Sequence, residues 1–310
     1  MNTDSHHVLC LMGPTASGKT RLAIQLAQQL PCDIISVDSA MVYRGMDIGT
    51  AKPTAEELAI GPHQLISMID PALPYSAGQF CIDADAAIRA SLSKQRIPLL
   101  VGGTMLYFRA LQKGLSELPS ANAAIREQIL QEAQQFGWMA LHQRLQIIDP
   151  IAAKRIHPND PQRIGRALEI HALTGRSHTE FCYQSAVKPS PYSFVNIGLM
   201  VNDRVALSAR IEKRFMQMLS AGFIEEVVQL KSRNDLNIHI PAMRAVGYRQ
   251  VWDYLDNLHN QTQMRERAVI ATRQLAKRQM TWLRHWPAIH KVATEADHIF
   301  EEILSIIDKA

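Results

Sequence analysis

The feature that most constrains the fold is the stretch VLCLMGPTASGKT at residues 8–20. Its apolar beginning, Val8–Met12, is long enough for a buried strand. Gly13, four further residues, Gly18, Lys19 and Thr20 then follow with the spacing of a phosphate-binding loop, or P-loop. Leucines recur every fourth residue from 22 to 30, which predicts a helix whose positive amino-terminal end adds to the anion site.

This loop predicts a site for a di- or triphosphate. Glycines permit the tight turn that aims backbone N–H groups at phosphate oxygens. Lys19 is expected to reach the terminal phosphate oxygens, and Thr20 to bind Mg²⁺, the expected cofactor. A chance match in an ordinary turn is the alternative, which the strand–loop–helix context disfavours. The predicted diphosphate- or nucleotide-binding residues are Gly13, Pro14, Thr15, Ala16, Ser17, Gly18, Lys19 and Thr20.

Composition excludes several classes of protein. The 310 residues suggest about two domains, and 47% apolar with 20% charged residues is typical of a globular chain. No apolar run approaches the roughly 20 residues of a membrane span. The amino terminus has no secretory pattern. The four cysteines form no CxxC pair, which favours reduced thiols over disulfides or zinc. We expect a cytoplasmic monomer without membrane association.

Two further buried strands are predicted at 33–37 and 97–101. They run into Asp38 and, after two glycines, into Thr104. Strand ends beside a P-loop line the ligand crevice in open α/β sheets, so both side chains are predicted to face the phosphates. Asp38 could instead cap the following turn. Because no acidic residue follows Val101, Asp38 is the leading carboxylate, for chemistry, for metal or for both. Residues 43–53 are predicted to be a loop, and 63–69 have some strand character.

The composition and the periodicity of the sequence change between about Ser120 and Pro191. Alanine, glutamine and leucine dominate there, and helical periods replace strand runs. The fold class predicted is therefore α/β, a P-loop NTPase-like parallel sheet flanked by helices, with an all-helical insertion domain. The sheet domain comprises 1–119 and 191–310, and the insertion comprises 120–190. Within the insertion, Arg163 and Arg166 lie on one face of a predicted helix.

Charge is unevenly distributed although the net charge is only +4. Residues 241–284 contain eight Lys or Arg and three Asp or Glu, whereas residues 1–120 contain nine and ten. A basic block in a nearly neutral chain indicates a polyanionic partner, although charged runs often only solvate a surface. The segment 244–249 mixes arginines with an aromatic residue around a glycine, which suits backbone contact and base stacking or a packed turn.

Six motifs together resemble one family, the tRNA dimethylallyltransferases or isopentenyltransferases. They cover nearly the whole chain in the family's order, which makes the joint match far more specific than the P-loop. The zinc finger of eukaryotic members is missing, so the bacterial form is expected. The motifs are GPTASGKT (13–20), ISVDSAMVYRGMDIGTAK (35–52), LVGGTMLYF (100–108), HPNDPQRIGR (157–166), RAVGYR (244–249) and KRQMTWLR (277–284).

The resemblance implies transfer of a dimethylallyl group from dimethylallyl diphosphate to the exocyclic amine of the adenine 3′ of a tRNA anticodon. Diphosphate is then the leaving group, held by the P-loop and Mg²⁺. The resemblance makes Asp38 the base that takes the amine proton. Thr104 would orient the reacting groups or the diphosphate, and Arg214 would add positive charge. On sequence alone, Arg210 is an equally good cation.

The resemblance also assigns the residues that contact tRNA. The target base must turn out of the anticodon loop to react, and the helical insertion is expected to grip the anticodon stem-loop. The assigned residues are Asp38, Ser39, Ala40, Met41, Thr104, Arg126, Gln162, Arg163, Ile164, Gly165, Arg166, Arg244, Ala245, Val246, Gly247, Tyr248, Arg249, Lys277, Arg278 and Arg284.

Two other functions stay open on the sequence. A nucleotide or small-molecule kinase would use Lys19 and Thr20 on ATP and would not need the basic block. A non-catalytic P-loop RNA-binding protein would use Asp38 only to coordinate magnesium.

Overall fold

The structure is a computed structural model that describes residues 7–116, 118–184 and 190–309. The chain forms two compact units. One comprises Met1–Gln112 and Pro191–Ala310, and the other comprises Lys113–Ser190. The second unit begins at Lys113, whereas the sequence analysis predicted a helical insertion over 120–190.

The first unit contains a six-stranded parallel sheet, as the sequence predicted, with helices packed on it. The strand order is β3-β2-β4-β1-β5-β6, so the strand that leads into the P-loop lies between β4 and β5. The strands are β1 (His7–Met12), β2 (Cys32–Val37), β3 (His63–Gln64), β4 (Ile97–Gly102), β5 (Ser193–Met200) and β6 (Ile289–Ala293).

Thirteen α-helices are described, of which α1 contains most of the helix predicted over 22–30, and a 3₁₀ turn at Ala242–Arg244 precedes α11. In chain order they are α1 (Lys19–Gln29), α2 (Ala55–Ile60), α3 (Ala77–Ser93), α4 (Met105–Lys113), α5 (Ala123–Ile148), α6 (Pro150–Arg155), α7 (Pro161–Thr174), α8 (His178–Gln184), α9 (Arg204–Ser220), α10 (Phe223–Lys231), α11 (Tyr248–Leu255), α12 (Gln261–Arg284) and α13 (Ile299–Asp308).

Both faces of the sheet are buried, which explains why its central strands are continuous apolar runs. Successive side chains of a strand point to opposite faces. Val8, Cys10 and Met12 therefore belong to the core beneath α3, α4 and α9–α12, whereas Leu9 and Leu11 belong to the core beneath α1 and α13. A parallel sheet covered in this way leaves the carboxyl ends of its strands as the place for a site.

The strand expected over 63–69 is wrong beyond Gln64. Leu65 and Ser67 have φ angles of 62° and 51°, in the left-handed region, and this backbone cannot continue a ladder. Only Ile34 and Ile35 of β2 pair with β3, and Ile69 forms an isolated parallel bridge with Tyr43, outside the strands of the sheet.

The second unit has its own apolar core, to which α5, α6 and α7 contribute. Helix α5 is interrupted at Gly137, whose φ of 80° and ψ of 156° are not helical. Ile164 is fully buried in this core. Among the described helices of the whole chain, none is long and apolar enough to cross a membrane.

Glu226, at the start of α10, holds the 43–53 loop in place. Its carboxylate accepts backbone N–H bonds from Asp47 (2.8 Å), Ile48 (2.7 Å) and Gly49 (3.1 Å). It also accepts a 2.5 Å hydrogen bond from the hydroxyl of Tyr248. A single carboxylate thus connects this loop to the start of α11.

We predict that Glu226→Ala destabilises the protein by on the order of 3 kcal/mol, because hydrogen bonds to a charged group contribute about 1.5–3 kcal/mol each and partly compensate when lost. Chemical denaturation measures the change, and hydrogen exchange should accelerate at the amides of Asp47–Gly49. The matched control is Glu225→Ala, which removes an exposed carboxylate from the same helical turn and should cost less than about 0.5 kcal/mol. Equal effects of the two variants would contradict the assignment.

Candidate active site

A cavity of about 500 Å³ opens at the carboxyl ends of β1, β2 and β4. Its volume is in the range of small-molecule sites. The P-loop, the turn at 38–41, the start of α4 and the helices α9 and α12 contribute to its wall. Predicted site residues that line it are Thr15, Ala16, Lys19, Thr20, Asp38, Ser39, Ala40, Met41, Thr104, Arg214, Arg244, Ala245, Val246, Gly247, Tyr248 and Arg278.

The P-loop has the backbone geometry that an anion cradle needs. Gly18 immediately precedes α1 with a φ of 87°, which favours glycine, and Ala16 is held at a φ of 59°. A non-glycine residue in this region costs about 1–3 kcal/mol, so the surrounding contacts must hold it. Lys19 donates a 2.7 Å hydrogen bond to the carbonyl of Pro14 and so lies folded back over the loop.

The cavity is strongly cationic. Lys19, Arg214, Arg244 and Arg278 line it, whereas Asp38 is the one carboxylate among the described lining residues. Burial, together with the nearby Arg214, lowers the pKa of Lys19 to about 7, although Asp38 opposes the shift. Burial also lowers the pKa of Arg214. The charged forms of such cations become more stable when an anion enters the cavity, and this favours binding of the anion.

Asp38 lies at the end of β2 and has a structural role as well as a place in the cavity. Its Oδ1 accepts N–H bonds from Ala40 (2.8 Å) and Met41 (3.3 Å). Both bonds end on Oδ1, and in the described chain no hydrogen bond ends on Oδ2. Asp38 therefore caps the turn, which was one predicted alternative, and it also borders the cavity, where the other alternative places it beside the phosphates.

Thr104 connects the ends of β4 and β2. Its backbone N–H donates to the carbonyl of Val37 (3.2 Å), and its Oγ1 accepts the N–H of Ser39 (3.1 Å). This arrangement places the Thr104 hydroxyl beside the turn that carries Asp38.

The structure distinguishes the two candidate arginines on α9. Arg214 lines the cavity, and its charge influences the pKa of Lys19. Arg210 does not border the cavity, and its buried Nε and Nη2 atoms have no hydrogen-bond partner within the described chain. Around Arg214, α9 presents apolar Ile211, Phe215 and Met218 to the same cavity. One helix face thus offers a cation beside an apolar surface.

The base-stacking interpretation of Tyr248 is wrong, and the packed turn is correct. Tyr248 is completely buried, its ring packs edge-on against Phe223 at 5.0 Å between centroids, and its hydroxyl is bonded to Glu226. Three other basic residues that the resemblance assigned to tRNA contact are exposed and do not line the cavity. They are Arg249, Lys277 and Arg284.

In the second unit, a buried carboxylate holds two of the predicted tRNA-binding arginines. Arg126 (3.0 Å) and Arg166 (2.7 Å) form salt bridges with Glu169, whose side chain has no exposed surface. Burial raises the pKa of Glu169, but hydrogen bonds from Arg166, the Asn122 N–H and Arg126 outweigh it and leave the pKa below its usual range. These arginines therefore stabilise the unit.

The remaining predicted residues of α7 differ in accessibility. Gln162 and Arg163 are exposed, and Arg163 makes only a 3.3 Å ion pair with Asp160. The side chain of Ile164 is buried and unavailable to a ligand, and Gly165 lies near Trp138. Arg163 is thus the clearest candidate for contact with a polyanion on this helix.

Two polar residues important to this geometry escaped the sequence analysis. Gln279 on α12 bonds the P-loop and the end of β4, and Glu226 bonds the 43–53 loop. Their partners are more than 170 residues away in the chain, with separations of 264, 176 and 179 residues, so neither residue forms a local motif. The position of Gln279 inside KRQMTWLR was the only available signal.

Comparison with known proteins assigns the chain to a family. The family model described as IPP transferase matches residues 41–286, and a second model, isopentenyl transferase, matches residues 6–64. The chain belongs to the IPP transferase family. The resemblance seen in the six motifs is therefore confirmed across the sheet unit and the helical unit.

Individual members of the family support this placement over nearly the full length. A tRNA dimethylallyltransferase of Coxiella burnetii is 53% identical over 300 residues, which cover 97% of this chain and 96% of that protein. The crystal structure of a tRNA isopentenylpyrophosphate transferase from Bacillus halodurans has a TM-score of 0.71 and 35% identity, covering 98% of both chains. One from Staphylococcus epidermidis has a TM-score of 0.70 and 32% identity, covering 98% of this chain and 99% of that one.

We predict that diphosphate binding weakens as the pH rises above about 7, because Lys19 must take up a proton to pair with the anion. Isothermal titration with inorganic diphosphate should show proton uptake from the buffer. The affinity of the wild type is divided by that of Lys19→Met, so that the ionisation of the ligand cancels. This ratio should fall roughly tenfold per pH unit above about 7.5. A ratio that does not change with pH would show that Lys19 is already charged in the free protein.

Proposed function

We propose that this chain transfers a dimethylallyl group from dimethylallyl diphosphate to the exocyclic amine of the adenine 3′ of a tRNA anticodon, and releases diphosphate. The observation that carries the proposal is the charge of the cavity, in which a P-loop lysine and three arginines face a single carboxylate. Such a site stabilises a departing diphosphate and leaves Asp38 as the only carboxylate among its described lining residues. Family membership, and the names of relatives similar over the full length, support the same reaction.

The donor fits the mixed character of the wall. Lys19 and the backbone N–H groups of the P-loop would hold the diphosphate, and Arg214 would add a second charge as the carbon–oxygen bond breaks. Ile211, Phe215 and Met218 would contact the hydrocarbon, because they share the helix face of Arg214. Positive charge beside the leaving group lowers the barrier because negative charge on the diphosphate grows as the transition state is reached.

The acceptor requires a base. The lone pair of an adenine amine is delocalised into the ring, so the amine reacts well only if its proton leaves as the new bond forms. Asp38 would accept that proton on Oδ2, because Oδ1 is occupied by two backbone N–H groups. Thr104, which holds the Ser39 backbone, would keep this turn in place.

The residues present fit a magnesium ion. Mg²⁺ prefers oxygen ligands and usually retains water and phosphate oxygens. The Thr20 hydroxyl lines the cavity and forms no hydrogen bond within the described chain, so it is available as a ligand. The described residues contain no cluster of three or more His, Cys, Asp or Glu side chains, which suits an ion held largely by its substrate. When bound, the ion would supply positive charge to the diphosphate.

The target nucleotide would have to leave the anticodon loop to reach this cavity. The exposed cations Arg244, Arg278 and Arg163 are the proposed contacts to tRNA phosphates, each within its own unit. We propose that the enzyme acts as a monomer in the cytoplasm, as the sequence analysis expected.

The decisive experiment incubates the protein with unmodified tRNA, dimethylallyl diphosphate and Mg²⁺, without ATP. Release of diphosphate and a gain of one prenyl mass on the tRNA support the proposal. A tRNA with inosine at the target position, which lacks the amine, should not react. Phosphoryl transfer that needs ATP would instead indicate a kinase, and tRNA binding without either reaction would indicate a non-catalytic RNA-binding protein.

We predict that Asp38→Asn lowers turnover at least about 10²-fold, the usual scale for loss of a general base, and leaves tRNA affinity within about twofold. The amide oxygen of this variant still accepts the N–H groups of Ala40 and Met41, so the turn is preserved. Single-turnover kinetics and a filter-binding assay measure the two quantities. Comparison with Asp38→Ala, which also loses the turn, separates chemistry from geometry. Near-normal turnover of Asp38→Asn would refute the role of base.

We predict that Arg163→Ala weakens tRNA binding and reduces the slope of log affinity against log salt by about 0.7–0.9, as expected when one phosphate contact is lost. Arg163 is chosen over Arg166 because removal of Arg166 would leave buried Glu169 with one fewer partner. The matched control is Lys94→Ala, which removes one exposed cation near the amino end of β4. Identical salt slopes for Arg163→Ala and the control would rule out a phosphate contact at Arg163.

A further inference from the structure

Gln279 is a buried amide that joins the two halves of the site. Its side chain is 8% exposed, and it lies on α12 against the cavity. Its Oε1 accepts the backbone N–H of Thr15 at 2.9 Å, and its Nε2 donates to the carbonyl of Gly103 at 2.9 Å. One side chain thus bridges the P-loop and the end of β4.

The orientation of this amide is fixed by its partners. A backbone N–H only donates and a backbone carbonyl only accepts, so the flipped amide would face a donor with a donor and an acceptor with an acceptor. The approach is also close, because a Cβ on Gly103 would lie 2.3 Å from Nε2 of Gln279. The glycine therefore makes room for the bridge.

Each end of the bridge reaches a group that the proposed reaction uses. Thr15 precedes Ala16, whose left-handed backbone shapes the anion cradle. Gly103 precedes Thr104, whose hydroxyl holds the Ser39 N–H beside Asp38. Gln279 is consequently a side-chain connection between the cradle and the turn that carries the base, and it adds two hydrogen bonds to the direct backbone bond from Gly13 N–H to the Gly102 carbonyl.

We propose that Gln279 is a positioning residue that sets the distance between the departing diphosphate and Asp38. The inference rests on the proposed function, in which the cradle holds the leaving group and Asp38 activates the acceptor. Gln279 touches neither reacting atom. It keeps both partners aligned, and misplacement of about 1 Å is enough to cost on the order of 10²-fold in rate.

The first test is Gln279→Leu, which keeps the bulk of the side chain and removes both hydrogen bonds. We expect kcat to fall about 10²-fold and inorganic diphosphate to bind several-fold more weakly, whereas tRNA affinity stays within about twofold. The matched control is Gln274→Leu, at an exposed glutamine of the same helix, which should change none of these quantities. A fall in kcat of less than about threefold for Gln279→Leu would overturn the proposal.

The second test uses a signature that a purely structural role would not produce. In Gln279→Glu, an ionised carboxylate can accept from Thr15 but repels the Gly103 carbonyl. A protonated carboxyl restores the donor, and burial together with the facing Gly103 carbonyl favours that form against the opposing effect of Lys19 and Arg214 in the same cavity. The activity of Gln279→Glu relative to wild type should therefore rise at least about fivefold from pH 8 to pH 6, whereas the ratio for Gln274→Glu stays constant. Equal pH profiles for both variants would overturn the proposal.

The two hypotheses fail separately. If wild-type protein does not modify tRNA, the proposed function fails, but diphosphate affinity still compares Gln279→Leu with its control. If wild-type protein modifies tRNA and the Gln279 variants behave like their controls, only the positioning role fails. Thermal unfolding of each variant is measured first. If Gln279→Leu does not fold stably, the pH ratio of Gln279→Glu carries the test.

Discussion

The site depends on the register of three neighbouring parallel strands. Met12 of β1 and Val37 of β2 both pair with Gly102 of β4, so three chains leave the sheet at one level. Only glycine fits there, since a Cβ on Gly102 would lie 2.0 Å from the carbonyl oxygen of Val37. The ladder continues one step further through Gly13 N–H to Gly102 O and Thr104 N–H to Val37 O, both 3.2 Å. These bonds therefore fix the P-loop, the turn that carries Asp38 and the backbone of Thr104 relative to one another.

Electrostatics turns this rigid edge into an anion site. Burial disfavours the charged forms of Lys19 and Arg214, and within the described chain neither has a carboxylate partner in a salt bridge. The free protein holds this unfavourable arrangement because the sheet and the helices around it are well packed. The diphosphate that we propose as the leaving group would relieve it, and the dipole of α1 would add to the attraction. The apolar face of α9 would then limit which diphosphates bind favourably.

Sequence reasoning succeeded where the signal is local and failed where it is not. The P-loop and the strand ends at Asp38 and Thr104 can be recognised from a few neighbouring residues. The choice between Arg210 and Arg214 could not be made from the sequence. The two residues lie one helical turn apart, and only their tertiary contacts distinguish them. The role of Tyr248 stayed open for a related reason: an aromatic residue beside arginines fits a stacking surface and a packed turn equally well, and only its contacts with Phe223 and Glu226 decide for the turn. The strand predicted over 63–69 is too long because the positive φ angles at Leu65 and Ser67, which end it, cannot be recognised from the pattern of apolar residues.

The polar residues that sequence analysis missed show how the fold fixes loops without weakening the site. Glu226 is charged, but it bonds the backbone of the 43–53 loop and does not line the cavity. Gln279 does line the cavity, and there the bridge is a neutral amide. A carboxylate in its place would add negative charge to the site of Lys19 and Arg214 and would compete with the phosphate oxygens for them. An ammonium could donate to Gly103 but could not accept from Thr15. Only an uncharged side chain with both a donor and an acceptor joins the two loops and leaves the positive potential intact.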